Sequence, residues 1–234
     1  MNDKKIKYDF EQNMEDLIFS LFSYSSLVQE TKESLKIAGK KLGNLGWTVP
    51  EELPIPFLTQ IVEEQYTDEK IQKEMIDFFD EKRVSNMLGR LEEKLPQKYQ
   101  QIYKEIYFNI KHENYIASYT LLIILFEGLL ADTFEDKKEV YTQAFLGGMG
   151  KKIKEKEDVY VGIIYAQLKS LTSFNEKLYG TKDFGKIEDD IINRNILFHG
   201  RGFNIGKIEV IQMANAIESV CSICETIESV EKIE

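Results

Sequence analysis

Histidine is nearly missing from this chain, with only His112 and His199 among 234 residues. One copy therefore cannot build a metal cage on several imidazoles. Cysteine is as scarce. Cys221 and Cys224 form a single C-x-x-C with no second pair, which excludes a disulfide framework and a four-cysteine zinc site and leaves core thiols. Three of the four prolines fall inside Gly43–Pro56, so that segment is a connection and the rest of the chain is free to form long helices. The opening MNDKKIKYDFEQ has no apolar stretch behind its lysines, so no signal peptide is apparent and the expectation is a soluble, cytoplasmic protein. Positive charge is in deficit, 30 Lys and Arg against 40 Asp and Glu, for a net charge of −10. That balance argues against a protein that coats nucleic acid, but it leaves room for a locally basic cleft.

What the chain does have is helical periodicity. Apolar residues recur at threes and fours from Asp9 to Leu42, as in one amphipathic helix or a broken pair. Shorter helical pieces follow at Phe57–Tyr66, Asp68–Asp80 and Arg83–Lys94, with Thr67 or Asp68 as the cap of the second. Pro96 opens another helix through Ile110. Ile116–Leu130 is apolar almost all round, the pattern of a buried helix, and its polar interruptions argue against a membrane span. Val140–Leu146 and Val159–Leu178 read as helices too. A last helix from Lys207 to Val230 carries a seam of Val210, Met213, Ile217, Val220, Cys224 and Ile227. The expected fold class is all-α, a helical bundle, with a helical N-terminal region at 1–95 and a second helical domain at 96–234.

Several features invite function and fail on spacing. Trp47, between Gly46 and Pro50, reads as an anchor under its loop rather than a ring for stacking a base. Arg83 and Arg90 share a helix face, which reads as solvated. GGMGKKIKEKED lacks the first glycine and the Ser or Thr of a phosphate loop, so Lys151, Lys152, Lys154 and Lys156 form a basic turn that at most steers RNA. Glu188, Asp189 and Asp190 are consecutive and point in different directions on a helix, so no metal is expected. Gly200-x-Gly202 has no strand before it and is no dinucleotide fingerprint.

The chemistry concentrates in Ile191–Gly202, IINRNILFHGRG. Arg194, Asn195, His199 and Arg201 lie within eight residues, among Ile191, Ile192, Ile196, Leu197 and Phe198, with Gly200 and Gly202 as helix terminators. The three polar residues from Arg194 to His199 should then sit on the last turns of a helix. Arg194 and His199 are five apart, about 140° around an ideal helix, so they share no face unless the last turn unwinds or two copies combine. The negative end of the helix dipole favours a protonated His199. Glu127 is the other informative residue. A carboxylate in such an apolar run must be hydrogen-bonded or charge-paired if buried. It either faces Arg194 or His199 and orients them, pairs structurally elsewhere, or sits at a solvent lip.

Arg194–Asn195–x–x–x–His199–Gly200 resembles the Arg–x(4–6)–His motif of the HEPN superfamily, including the polar residue after the arginine. His112–Phe134, HENYIASYTLLIILFEGLLADTF, is similar to the long buried helix of bacterial HEPN proteins with its Glu-Gly pair. The resemblance covers roughly the second half of the chain. It implies an all-helical homodimer, assembled through the 96–234 half, and a metal-independent endoribonuclease of phage-defence, abortive-infection or toxin–antitoxin systems. It implies no cofactor. The implied roles are His199 as general base or acid, Arg194 as phosphate and transition-state stabiliser, and Asn195 as orienter, with Arg201 and Glu127 on the substrate. The implied partners are RNA and a regulatory or antitoxin protein, with no membrane. Some HEPN toxins carry a tyrosine two residues after the histidine, which a partner nucleotidyltransferase modifies; here Arg201 stands there, and control by that route is in doubt. The competing expectation is a HEPN-like adaptor without catalysis, which suits the acidic composition; a third is that Arg194 and His199 only cap their helix and the protein has no RNA role.

Overall fold

The computed structural model describes residues 32–133, 159–179, 194–198 and 204–231, and all regular structure among them is helical. A helix over 32–44, α1, is followed by a loop and then by α2 (Ile55–Glu63), α3 (Asp68–Phe78) and α4 (Glu81–Lys94). A 3-10 turn at Gln97–Tyr99 leads into α5 (Gln100–Lys111) and α6 (Tyr115–Thr133). The later elements are α7 (Val159–Tyr179), the short α8 (Arg194–Phe198) and α9 (Lys207–Glu231). The helix starts obey local chemistry. Thr67 accepts from the Lys70 amide and Asp80 from the Arg83 amide, each supplying an acceptor to a donor that the first turn leaves bare. Proline at the start of α2 costs no hydrogen bond there.

The bundle is an all-α one, and its axis is α9. Every described side chain from Val210 to Ile223 is buried, so the seam expected from the sequence is only part of a helix enclosed on all sides. It packs against α6, α4 and α7, and α6 in turn packs against α5. α6 is long and apolar enough to cross a membrane by length and composition over Tyr115–Asp132. In the bundle, its Tyr119, Leu122, Ile123, Leu125 and Phe126 are wholly buried, while Ile116 and Ile124 are exposed. Core residues on both sides of Pro96, from Leu35 to Ile223, belong to one hydrophobic cluster.

The residues α9 places inside are not all apolar. Gln212, Asn215, Glu218, Ser219 and Ser222 are buried with the rest, because a proline-rich loop of the N-terminal region runs against them. A buried loop must find a partner for each peptide group. The Thr48 amide and hydroxyl both donate to Asn215 Oδ1, at 3.1 and 2.7 Å. Ser219 donates to Thr48 Oγ1 at 2.9 Å, and the Val49 amide donates to Ser170 Oγ of α7 at 3.0 Å. The amides of Gln72 and Gln212 converge on the Leu45 carbonyl. Trp47 is the loop's anchor, as its setting suggested. It is 1% exposed, stacks on Phe79 with centroids 5.3 Å apart, and donates its indole N–H to Gln72 at 2.7 Å.

Arg90 corrects one expectation. It is not on a merely solvated face: its Nε is 2.6 Å from Glu218 Oε1, and its other arm reaches Glu52. Arg83, by contrast, stays half-exposed on its own capping Asp80. The neighbouring Lys94 binds Glu51, which also accepts from Ser222. Two carboxylates after Pro50 are thus tied to α4 by their charges, and one of them to α9 through the Ser222 hydroxyl. The Glu218 carboxyl is pushed up by burial, against the lowering influence of Arg90. Burial also disfavours the Arg90 cation, but Glu218 together with Glu52 and Glu51 more than offsets it and leaves Arg90 raised.

Gly39 and Gly43 let α1 lie directly on α7. A Cβ at Gly43 would stand 2.3 Å from the Ser170 carbonyl oxygen, and one at Gly39 would stand 2.3 Å from that of Ala166. Backbone cannot yield cheaply, so Gly43→Ala is expected to cost about 1–3 kcal/mol in urea unfolding, with no change in helix content. Glu218 gives a second expectation, in pH. Its folded pKa is raised, so its contribution to stability is full below the unfolded carboxyl range and falls as pH rises through the folded value. In thermal melts between about pH 4 and pH 7, Glu218→Gln should gain on the wild type steadily as the pH rises. A constant difference across that range would contradict it.

Candidate functional site

Glu127 sits on α6 one turn past the wholly buried Ile123, where the helix begins to reach solvent. Gly128 beside it has a packing reason. A Cβ there would lie 2.8 Å from the hydroxyl of Tyr99, whose ring crosses α6 at that point and donates to Asp132 at 2.6 Å. The close crossing fixes this end of α6, and with it the backbone of Glu127. The Tyr99 hydroxyl is held well above the usual phenol range by burial and by Asp132.

α8 brings Arg194 to this carboxylate. Arg194 Nε lies in ion-pair contact with Glu127 Oε1, and Nη2 donates to Oε2 at 3.4 Å. Glu127 thus faces Arg194. The two side chains keep 30% and 21% of their exposure, so the pair sits at a half-open edge rather than inside the core. Tyr179, the last residue of α7, donates its hydroxyl to Glu127 Oε1 at 3.1 Å. Its ring centroid is 5.6 Å from Arg194 Cζ, and that of Phe198 is 5.2 Å away. A guanidinium against ring faces is attracted by their quadrupoles, and the carboxylate holds its edge. Three elements, α6, α7 and α8, therefore converge on one cation.

The remaining residues of the motif are placed only in part. Arg194 and Asn195 open α8, whose described length is five residues ending at Phe198, and the Asn195 side chain lies outside the described residues. His199 and Arg201 lie outside them as well, as do Lys151, Lys152, Lys154, Lys156, Glu188, Asp189 and Asp190. The other histidine, His112, caps α5, its Nδ1 2.8 Å from the Phe108 carbonyl oxygen. Cys221 is buried, its thiol pushed up to about 12 by desolvation, and Cys224 is half-buried. Among the described residues, no three His, Cys, Asp or Glu side chains are grouped to hold a metal ion.

Tyr179 and Phe198 belong to the site and were not singled out from the sequence. Nothing in a spacing rule links 179 to 127. Phe198 was visible only as one of several apolar neighbours of Arg194. The Glu127–Arg194 pair should show a coupling of about 1 kcal/mol in a double-mutant cycle of Glu127→Gln and Arg194→Met read by urea unfolding, between the ranges for exposed and buried pairs. Additive losses would mean that the pair contributes nothing as a pair.

Compared with protein-family models, curated proteins and solved structures, the chain matches none.

Proposed function

We propose that the protein is a metal-independent endoribonuclease of the HEPN type. The observation that supports this reading is the meeting of Glu127 with Arg194. The two stretches that resemble HEPN proteins are about seventy residues apart in the chain, a hydrogen-bond separation of 67, and they touch through the acidic residue of one and the arginine of the other. A seated arginine is one part of what the chemistry requires. Cleavage without metal needs a base for the ribose 2′-hydroxyl, a cation for the phosphate and an acid for the leaving 5′-oxygen.

In this reading His199 takes the 2′-proton or delivers one to the 5′-oxygen. The 2′-oxygen bonds to phosphorus as the P–O5′ bond breaks. A 2′,3′-cyclic phosphate and a 5′-hydroxyl result. Arg194 grips the non-bridging oxygens as negative charge builds on them, with Asn195 orienting and Arg201 adding grip. Glu127 keeps Arg194 in one rotamer before substrate arrives, so less side-chain freedom is lost on binding. One histidine per chain cannot readily be both acid and base, and a homodimer that faces two sites across its axis supplies the second. The setting proposed is phage defence or toxin–antitoxin control in the cytoplasm.

A second reading is a HEPN-like adaptor without catalysis. The same pair favours it, because Glu127 offsets the positive charge that Arg194 would offer to phosphate. Purified protein should cut end-labelled total RNA and tRNA in EDTA to cyclic-phosphate ends. His199→Ala and Arg194→Ala should each lose at least about 100-fold, the scale of a missing acid–base or electrostatic group. Silence of the wild type across concentrations would favour the adaptor. Equal cutting by wild type and His199→Ala would remove His199 from the mechanism.

A further inference from the structure

Phe198 is half-exposed, at 49%, one helical turn after Arg194, and its ring lies 5.2 Å from the Arg194 guanidinium. Leaving that much aromatic surface in water forfeits stability that burial would provide. Its neighbour Leu197 is buried at 7%, so α8 is anchored by one side chain while the next is held outward. On α6, Ile124 is 47% exposed and lies three residues before Glu127, on the same face of the helix. The half-open cation thus has an exposed ring beside it.

That combination suits a particular ligand. Glu127 occupies the Nε and Nη2 side of the guanidinium, so phosphate attraction alone is weakened there. An unpaired nucleobase on the ring adds about 1–3 kcal/mol that does not depend on charge, and every base has a face that can stack. In a duplex, those faces are already covered by neighbouring base pairs.

We propose that Phe198 is the stacking shelf for an unpaired base of single-stranded RNA, whose adjoining phosphate meets the remaining edge of Arg194. The site selects single strands and loops over duplex. The ligand's identity as RNA rests on the ribonuclease reading, but the shelf itself is a binding site and needs no turnover to be seen.

The chain's one tryptophan, Trp47, is 1% exposed, so a Phe198→Trp variant carries a separate and accessible reporter. The probe is a single-stranded 2′-O-methyl oligonucleotide, which has no free 2′-hydroxyl and is not cut. It should quench the emission of the Phe198→Trp variant saturably, and the same sequence in a duplex should not. In wild-type background, Phe198→Ala should weaken binding of the labelled single strand roughly 10- to 100-fold. Phe198→Leu, which keeps the apolar bulk without the ring, should fall with it, and Phe198→Tyr should restore binding. A loss of fold would not spare the tyrosine variant. Unchanged affinity in the alanine and leucine variants would overturn the shelf, as would equal quenching by duplex. Sedimentation gives a third way to lose it: a wild-type dimer that Phe198→Ala converts to monomer would assign this face to a second copy of the chain. The two proposals fail separately. Cleavage that depends on His199 but has the same KM in Phe198→Ala sinks the shelf alone. Saturable single-strand quenching in a protein that never cuts sinks the nuclease alone.

Discussion

Peptide groups buried away from water must be hydrogen-bonded, and this requirement shapes the molecule around residues 45–53. The amides of Leu45, Gly46 and Trp47 bond back to the end of α1, and that of Leu53 to Pro50. The loop's other partners are side chains on helices elsewhere in the chain: Asn215, Ser219 and Gln212 from α9, Ser170 from α7 and Gln72 from α3. The central helix is therefore polar on one buried side and apolar on the others. Arg90 and Lys94 extend the same arrangement outward, tying Glu52 and Glu51 to α4 while Glu218 and Ser222 complete it from α9. Here the polar core is a sealed joint between two parts of one chain.

The Glu127–Arg194 pair is organised differently. It is half-open, flanked by ring faces, and built where α6 emerges from the bundle. The joint around Thr48 leaves its groups in no contact with water, whereas the pair keeps an edge toward solvent. The first arrangement holds the fold; the second has the accessibility that a ligand needs.

The apolar pattern in the sequence was enough to read the all-helical class and most helix bounds, because periodicity reports burial directly. α3, α4 and the last helix begin within three residues of where their spacing placed them. Trp47 was legible as an anchor because proline and glycine around it leave a large ring nowhere else to go. The polar half of α9 was not legible. Asn215 and Ser219 look like an ordinary solvated face until the loop that covers them is known, and the covering residues lie more than 160 positions away. Arg90 was misread for the same reason, since a charge run on one helix carries no sign of a carboxylate buried on another. At the site, the apolar run around Glu127 demanded a partner and narrowed the choice, but Tyr179 came from tertiary structure alone.

The bond between Thr48 and Asn215 closes 167 residues of chain. α9 follows in sequence every element that it packs against, so Thr48 does not meet Asn215 and Ser219, nor Arg90 meet Glu218, until that helix arrives. Contacts of such separation are the slow ones to form, because the entropy of closing the loop is lost before the contact is gained. A chain emerging from the ribosome thus carries α1 to α6 with their shared core still open and the amides of residues 48 and 49 still wet. Docking of α7 and α9 then shuts the core, and Tyr179 and Arg194, which meet Glu127, arrive in the same late part of the chain. Maturation of the fold and assembly of the site become a single late event.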